Sequence, residues 1–292
     1  MDKTMDLDIT LKKKSQFKDV LRRLFRNKGA AIGLFIIVGL IIFAIFAEQI
    51  APYGFDDQLL SRRFTPPGIK HIFGTDDYGR DVFSRIVYGS RTSLMIALMS
   101  VTFSSFIGVI LGCISGYYGG RVDNVIMRFI DILLAIPSIL LAISISAALD
   151  PGIANLMISV GIGAMPPYAR IVRASVMSER DKEYIEAAHS IGAGDIRIML
   201  KHVLPNVMAP IIVQATMSIS TAIITAASLS FIGLGIAPPT PEWGSMLSAG
   251  RSYIRDAWYV VTFPGLAIMA AVFGFNLLGD GLRDALDPKL KN

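Results

Sequence analysis

The residue types that most often carry chemistry are few and scattered in this chain. Its three histidines, His71, His189 and His202, have no metal-ligand spacing, and His-Glu-x-x-His and Gly-x-Ser-x-Gly are both absent. The single cysteine, Cys113, lies in an apolar run and reads as a small packing residue, so no internal disulfide and no zinc cluster can form. No Gly-x-x-x-x-Gly-Lys-Ser/Thr occurs, nor even a Gly-Lys dipeptide, so the chain cannot hydrolyse ATP by that route. No catalytic residue and no metal site is expected. The stretch whose spacing does suggest work is "EAAHSIGAGDIRIMLKHVLPN", residues 186–206. A first helix over 184–191 places Tyr184, Ala187, Ala188 and Ile191 on one face, and a second over 196–204 does the same for Ile196, Met199, Leu200 and Val203. Gly192-Ala193-Gly194 forms the corner, Asp195 is expected to cap the second helix, and Pro205 to end it, with Leu204 pushed out of helical geometry. Helices this short are not stable alone, so their apolar faces need burial. The base of the protein's own bundle, a lipid surface and a groove on another protein compete. The absence of Trp and Phe, and the presence of Glu183 and Glu186, disfavour lipid; the residues favour a partner's groove.

The elements that must hold this hairpin are membrane spans. The chain has 292 residues, 53% hydrophobic and 17% charged, with a mean hydropathy of +0.55. Soluble domains carry about 25% charged residues. Six segments are long and apolar enough for a hydrocarbon core of about 30 Å: residues 29–47, 93–117, 130–149, 153–169, 207–235 and 258–278. The runs are too long for barrel strands, and the first is too long and too deep in the chain for a cleavable signal. The expected fold is an all-α membrane protein of six transmembrane helices. With the N-terminus inside, 20 Lys and Arg lie on the inner side against eight outside, which puts both termini and the hairpin in the cytoplasm. The organisation expected is a cytoplasmic segment at 1–28, a first helix with its external loop at 29–91, a five-helix core at 92–282 that contains the hairpin at 183–205, and a tail at 283–292. The net charge of +5 comes from membrane-flanking positions, not one patch, so no nucleic-acid partner is implied.

Other polar features lie at the span ends. Residues 15–28, "SQFKDVLRRLFRNK", align Phe17, Val20, Leu21, Leu24 and Phe25 with basic residues elsewhere, an amphipathic helix suited to the bilayer surface. Arg128 and Asp131, at i and i+3, read as a structural pair at an interface. The outer loop with Pro238, Pro239, Pro241 and Trp243 reads either as a semi-rigid gate or receptor contact or as a packed loop with Trp243 at the interface. Asp76, Asp77, Arg80 and Asp81 read as a solvated helix start with Asp76 as its cap, or else as a receptor-facing patch.

The hairpin resembles the EAA motif of binding-protein-dependent ABC import permeases: Glu186-Ala187-Ala188, Gly192 and the closing Leu204-Pro205 match, while His202 replaces the usual Ile. The "HVLPN" ending is similar to the peptide and nickel branch. So are "FGTDDYGRDVFSRIVYGSRTSL" at 73–94, "YYGGRVDNVIMRFIDILLAIPSILLAI" at 117–143 and "SLSFIGLGIAPPTPEWGSML" at 228–247. The resemblance covers about residues 20–290 and points to the C-type subunit of a dipeptide or oligopeptide importer, with the type I permease fold, in a bacterial or archaeal plasma membrane. It implies a second homologous permease subunit, two ABC ATPase subunits that hold the ATP and Mg, and an extracytoplasmic substrate-binding protein. The chain itself would bind no cofactor. The hairpin would be the coupling helix in an ATPase cleft: Glu186 would pair with a basic residue there, Ala187 and Ala188 would allow close approach, and Gly192 would make the bend, with Asp195, Leu204 and Pro205 completing it. Nickel or opines are alternative cargoes. The residues lining the path are not marked by the sequence. An intramembrane enzyme fits poorly, since the spans contain no His and keep their few charges near the ends.

Overall fold

The computed structural model describes residues 20–286. Among these, the chain is helical apart from its connections and one isolated bridge, Thr75–Asp81. Residues 20–26 are helical, and the first long helix, α1 (Lys28–Ile45), starts at Asn27, whose Oδ1 accepts from the Ala30 N–H at 3.2 Å. Small residues set its packing: a Cβ at Gly33 would sit 2.6 Å from the Gly274 carbonyl oxygen, so the two backbones cross in close contact. Its other side is bare, with Phe35 80% exposed.

The second helix, α2 (Val82–Tyr118), has 37 residues, about 55 Å of helix, far more than a bilayer core requires. It runs against α5 (Ile153–Arg180) through a glycine ladder. A Cβ at Gly108 would lie 2.4 Å from Tyr168 Cβ, at Gly112 2.7 Å from Ala169 O, and at Gly116 2.8 Å from Arg173 O. Between them, α3 (Gly120–Ala135) and α4 (Ser138–Ala148) meet at 89°. The expected continuous span over 130–149 is therefore broken in its middle. Pro137 supplies no amide hydrogen and holds Ile136 extended, at φ −96° and ψ 127°.

Two further long helices, α8 (Met208–Phe231) and α10 (Tyr259–Leu286), complete the bundle. Among the described residues, four helices (α1, α2, α8, α10) are long and apolar enough to cross a membrane, and the bent α3–α4 pair makes five if counted as one span. The segment expected as the fourth span, 153–169, is helical, but it falls within the longer α5 and is diluted by Asn155, the glycines and the Pro166-Pro167 pair. Packing explains this. Leu156, Val160, Tyr168, Ala169, Val172 and Val176 of α5 are buried inside the bundle, so α5 does not need an apolar surface all round.

Three of the apolar clusters among the described residues run from one end of the bundle to the other. The middle one joins Ile96, Leu156, Tyr168, Ile223, Leu229 and Phe275. At one end Val82, Ile86, Met246 and Val260 form a cap with α9 (Trp243–Gly250). At the other, Val172 and Val176 support the hairpin between α5 and α8.

Candidate functional site

The hairpin opens with α6 (Glu183–Ser190) and returns through α7 (Asp195–Ile198). At its root, Glu179 on the last turn of α5 receives Lys182 Nζ at 2.6 Å and the Tyr184 hydroxyl. Asn206 Nδ2 donates to the Tyr184 oxygen at 3.0 Å and to the His202 carbonyl at 2.7 Å, so one tyrosine joins α5, α6 and the return leg. Burial pulls the Glu179 carboxyl upward, but Lys182 and Tyr184 outweigh it and hold the group below its ordinary range. Burial and the Glu179 charge push Tyr184 up to about 12. On the other side, Tyr117 at the end of α2 donates to Asp195 Oδ1 at 3.1 Å and lies 3.1 Å from His189 Nε2. Arg180 donates to the Gly116 and Tyr117 carbonyls at 2.9 and 3.2 Å, closing the open end of α2.

Several sequence expectations need correction here. Asp195 is not the N-cap: Gly194 holds that place with no side-chain bond, and the Asp195 carboxylate is taken by Tyr117. Pro205 does not end the return leg. After α7 the chain widens to a π turn (Met199–Val203) and tightens to a 3-10 turn (Leu204–Asn206) that contains the proline. Leu204 stays helical at φ −55° and ψ −43°, because the widened turn before it leaves room for the ring. The stripe packed on the bundle is largely a second one, beside that marked by the spacing. Of Tyr184, Ala187, Ala188 and Ile191 only Ala188 is buried, joined by Ile185; in the return leg Ile198 and Val203 are buried. These pack on Val172, Val176, Val207 and Ile211.

The face marked by the spacing is left largely uncovered. Ile191, Ile196 and Leu200 are 85%, 68% and 59% exposed, with Glu186 and Ala187 also exposed. Gly192, at φ +81°, turns the corner between the two legs, and nothing lies within 4 Å of a Cβ placed there. Its requirement is thus conformational, not one of space.

At the opposite end, the charged cluster is folded into the cap. Asp81, not Asp76, caps α2: its Oδ2 accepts from Ser84 N–H and Oγ at 2.8 Å, and its Oδ1 lies 2.9 Å from His71 Nδ1. Asp76 closes its own turn by accepting from Tyr78 and Arg80 N–H, and binds Arg80 Nε at 2.7 Å; Asp77 lies 3.8 Å from Arg80. Arg85 ties the cap together through the Phe55 carbonyl at 2.7 Å and that of Pro239 at 3.4 Å. Arg80 and Asp81 are 5% and 2% exposed, so the cluster is neither a solvated helix start nor an open patch. Trp243 is fully buried, with Nε1 donating to the Ile86 carbonyl at 3.1 Å, rather than lying at an interface. Pro238 and Pro239, joined by a cis peptide, remain exposed.

Sequence reasoning missed Glu242. This buried carboxylate caps α9, accepting from Gly244 and Ser245 N–H, both at 2.8 Å; burial pushes its pKa upward against those bonds. A Glu directly before a short helix was the available signal. Asp131 also chose another partner, pairing with Arg170 at 2.6 Å rather than with Arg128, while Asp123 takes Arg173 through both oxygens at 2.5 Å. Among the described residues no group of three or more His, Cys, Asp or Glu could hold a metal ion.

Apolar helices, a glycine-laddered core and a hairpin with one apolar face uncovered at one end define a multi-pass membrane protein. Residues 108–292 match the family model for the binding-protein-dependent transport system inner membrane component, and residues 15–67 match the N-terminal transmembrane domain of oligopeptide transport permease C. The di/tripeptide permease protein DppC of Pseudomonas aeruginosa is 48% identical over 95% of this chain and 94% of its own length. DppC of Alkalihalophilus pseudofirmus is 49% identical over 95% and 91%, and DppC of Escherichia coli 50% over 91% of each. A chain of the MetNI methionine ABC transporter, solved in inward-facing conformations, aligns with a TM-score of 0.55 and 20% identity over 70% of this chain and 97% of its own; at that identity it speaks to the fold. The chain belongs to the binding-protein-dependent inner-membrane permeases, within the dipeptide and oligopeptide C-type branch.

Proposed function

We propose that this chain is one permease subunit of an ATP-driven importer that carries dipeptides inward, with ATP hydrolysed on partner subunits at the hairpin. The half-covered hairpin carries the reading. One apolar face, Ile185, Ala188, Ile198 and Val203, fixes it to the bundle, and the other, Ile191, Ile196 and Leu200, is bare beside Glu186. A rigidly mounted element with an uncovered apolar face suits a protein groove. The relatives are named dipeptide permeases, which supports dipeptides over nickel or opines.

The same reading gives six spans, with the bent α3–α4 pair as the third and α5 as the fourth, and places both termini and the hairpin in the cytoplasm. A second permease subunit, two ATPases and an external binding protein complete the assembly. The helix at 20–26 supports the surface-lying arrangement: Leu24 packs on Ala30 and Ala285, while Leu21 and Phe25 are 42% and 56% exposed. Phe17 lies outside the described residues. The exposed Pro238 and Pro239, with the charged cap beneath them, are the surface proposed to meet the binding protein.

The test is uptake by the reconstituted transporter. Glu186→Lys combined with Ile191→Asp is expected to abolish dipeptide uptake and co-purification with the ATPases while membrane insertion stays normal. Survival of both activities would sink the coupling reading.

A further inference from the structure

A cleft of about 140 Å³ opens between α4, α5 and α8. Its α8 wall carries Gln214, Ser218, Thr221 and Thr225, at i, i+4, i+7 and i+11 of one helix face. Ser138, the first residue of α4 after the bend, and Pro167 of α5 lie across from them. These four α8 residues are centred on Met208–Phe231, and so on the middle of a membrane span. Gln214 Nε2 donates to Ser218 Oγ at 3.1 Å, and Thr225 Oγ1 donates back to the Thr221 carbonyl at 2.9 Å. On the same half of α8, Ile224 and Phe231 are apolar and 48% and 38% exposed. The outward surface of the helix is therefore divided, polar toward the cleft and apolar beside it.

Polar groups at membrane depth are costly unless they face a cavity or a partner. This set is also uncharged. Hydroxyls and a carboxamide can each both donate and accept, so they match amide N–H and C=O groups without fixing a charged end. Pro167 adds an acceptor, because it has no N–H to close on the carbonyl of Gly163, which also lines the cleft. The polar run spans about 16 Å at 1.5 Å per residue, and an extended peptide rises about 3.3 Å per residue, so a dipeptide would meet only part of the ladder at once. Weak, repeated contacts allow passage where one tight site would retain the cargo.

We propose that the Gln214–Ser218–Thr221–Thr225 face, with Ser138 opposite, lines the path and contacts the main chain of the passing peptide, leaving its side chains unread. This rests on the import reading above. In the complete transporter carrying Cys113→Ser, Thr221→Cys is expected to react with a charged, water-soluble thiol reagent at least tenfold faster than Phe35→Cys on the bare face of α1, and binding protein loaded with dialanine plus ATP should slow that reaction. Thr221→Val with Gln214→Leu should lower uptake roughly tenfold, the size expected when two neutral hydrogen bonds are lost, and by the same factor for dialanine and for a bulky dipeptide such as Leu-Phe. The conservative Thr221→Ser should import normally. A Thr221→Cys that reacts no faster than Phe35→Cys, or a fall in uptake confined to one dipeptide, would overturn the assignment. Failure of the unaltered transporter to import any dipeptide would instead reject the import reading on which it rests.

Discussion

Gly192 and Gly194 flank the same corner, yet they do different work. Gly192 sits at φ +81°, where a side chain is strained, whereas Gly194 has an ordinary φ of −71° and begins α7. Neither would meet anything within 4 Å through an added Cβ. Only backbone conformation separates the two. Gly192→Ala is therefore expected to strain the corner by about 1 kcal/mol, which should speed amide exchange across residues 186–198 about fivefold. Gly194→Ala should leave exchange unchanged or slightly slower, because it stiffens the unfolded chain without straining the folded one. Equal effects from the two substitutions would mean that the corner is not held by the left-handed residue. Gly192 was legible in the sequence as the bend; which of the two glycines carried the strain was not, since both suit a turn.

At the scale of elements, the polar knot at the root of the hairpin has a pH window. Glu179 is held below its ordinary value of 4.5, so its contribution is present above that pH and fades as pH falls through the lowered value. Tyr184 is raised from 10.0 to about 12, so its contribution is complete below 10 and fades as pH rises through 12. A spin label at Ile191→Cys, in a Cys113→Ser background, should keep constant mobility from about pH 5 to about pH 10 and loosen on either side. Tyr184→Phe should loosen it within that window too; an unchanged spectrum would show that the knot does not hold the hairpin. Sequence pattern located the hairpin, its corner and one of its two apolar faces, but missed the face that packs on the bundle. The reason is physical: both legs carry two apolar stripes, one for the bundle and one left bare, and a 3.6-residue period scores them alike. The same blindness touched the broken third span, where Pro137 was visible but hydropathy alone read straight through it. It touched the cap as well. Asp81 and Arg80 look solvated in a charged loop until tertiary structure supplies His71, Ser84 and Arg85 as partners or neighbours.

Across the whole molecule, α2 and α5 form a spine that joins the two ends. Asp81 anchors α2 in the cap beside Arg85 and Trp243, and at the far end of the same helix Tyr117 touches His189 and Asp195 of the hairpin. The glycines at 108, 112 and 116 let α5 lie directly on α2, so the pair moves as one body if the hairpin is pulled. Ser138, directly after the bend at Ile136-Pro137, and Pro167 line the polar cleft, where a change of shape would open or close the path. Force applied at the hairpin should then reach the cleft only while the seam is tight. Gly112 is the place to loosen it, because a Cβ there falls 2.7 Å from the Ala169 oxygen and from Val172 Cβ, and neither backbone nor branch point can give way easily. Gly112→Leu should force the helices apart at a strain of about 1–3 kcal/mol, too little to unfold the bundle. The expected result is a permease that inserts and binds its ATPases normally but imports several-fold fewer dipeptides per ATP hydrolysed. Uptake and phosphate release measured on the same proteoliposomes give that ratio directly. A ratio equal to that of the unsubstituted transporter would show that the helices need not move as one body for import.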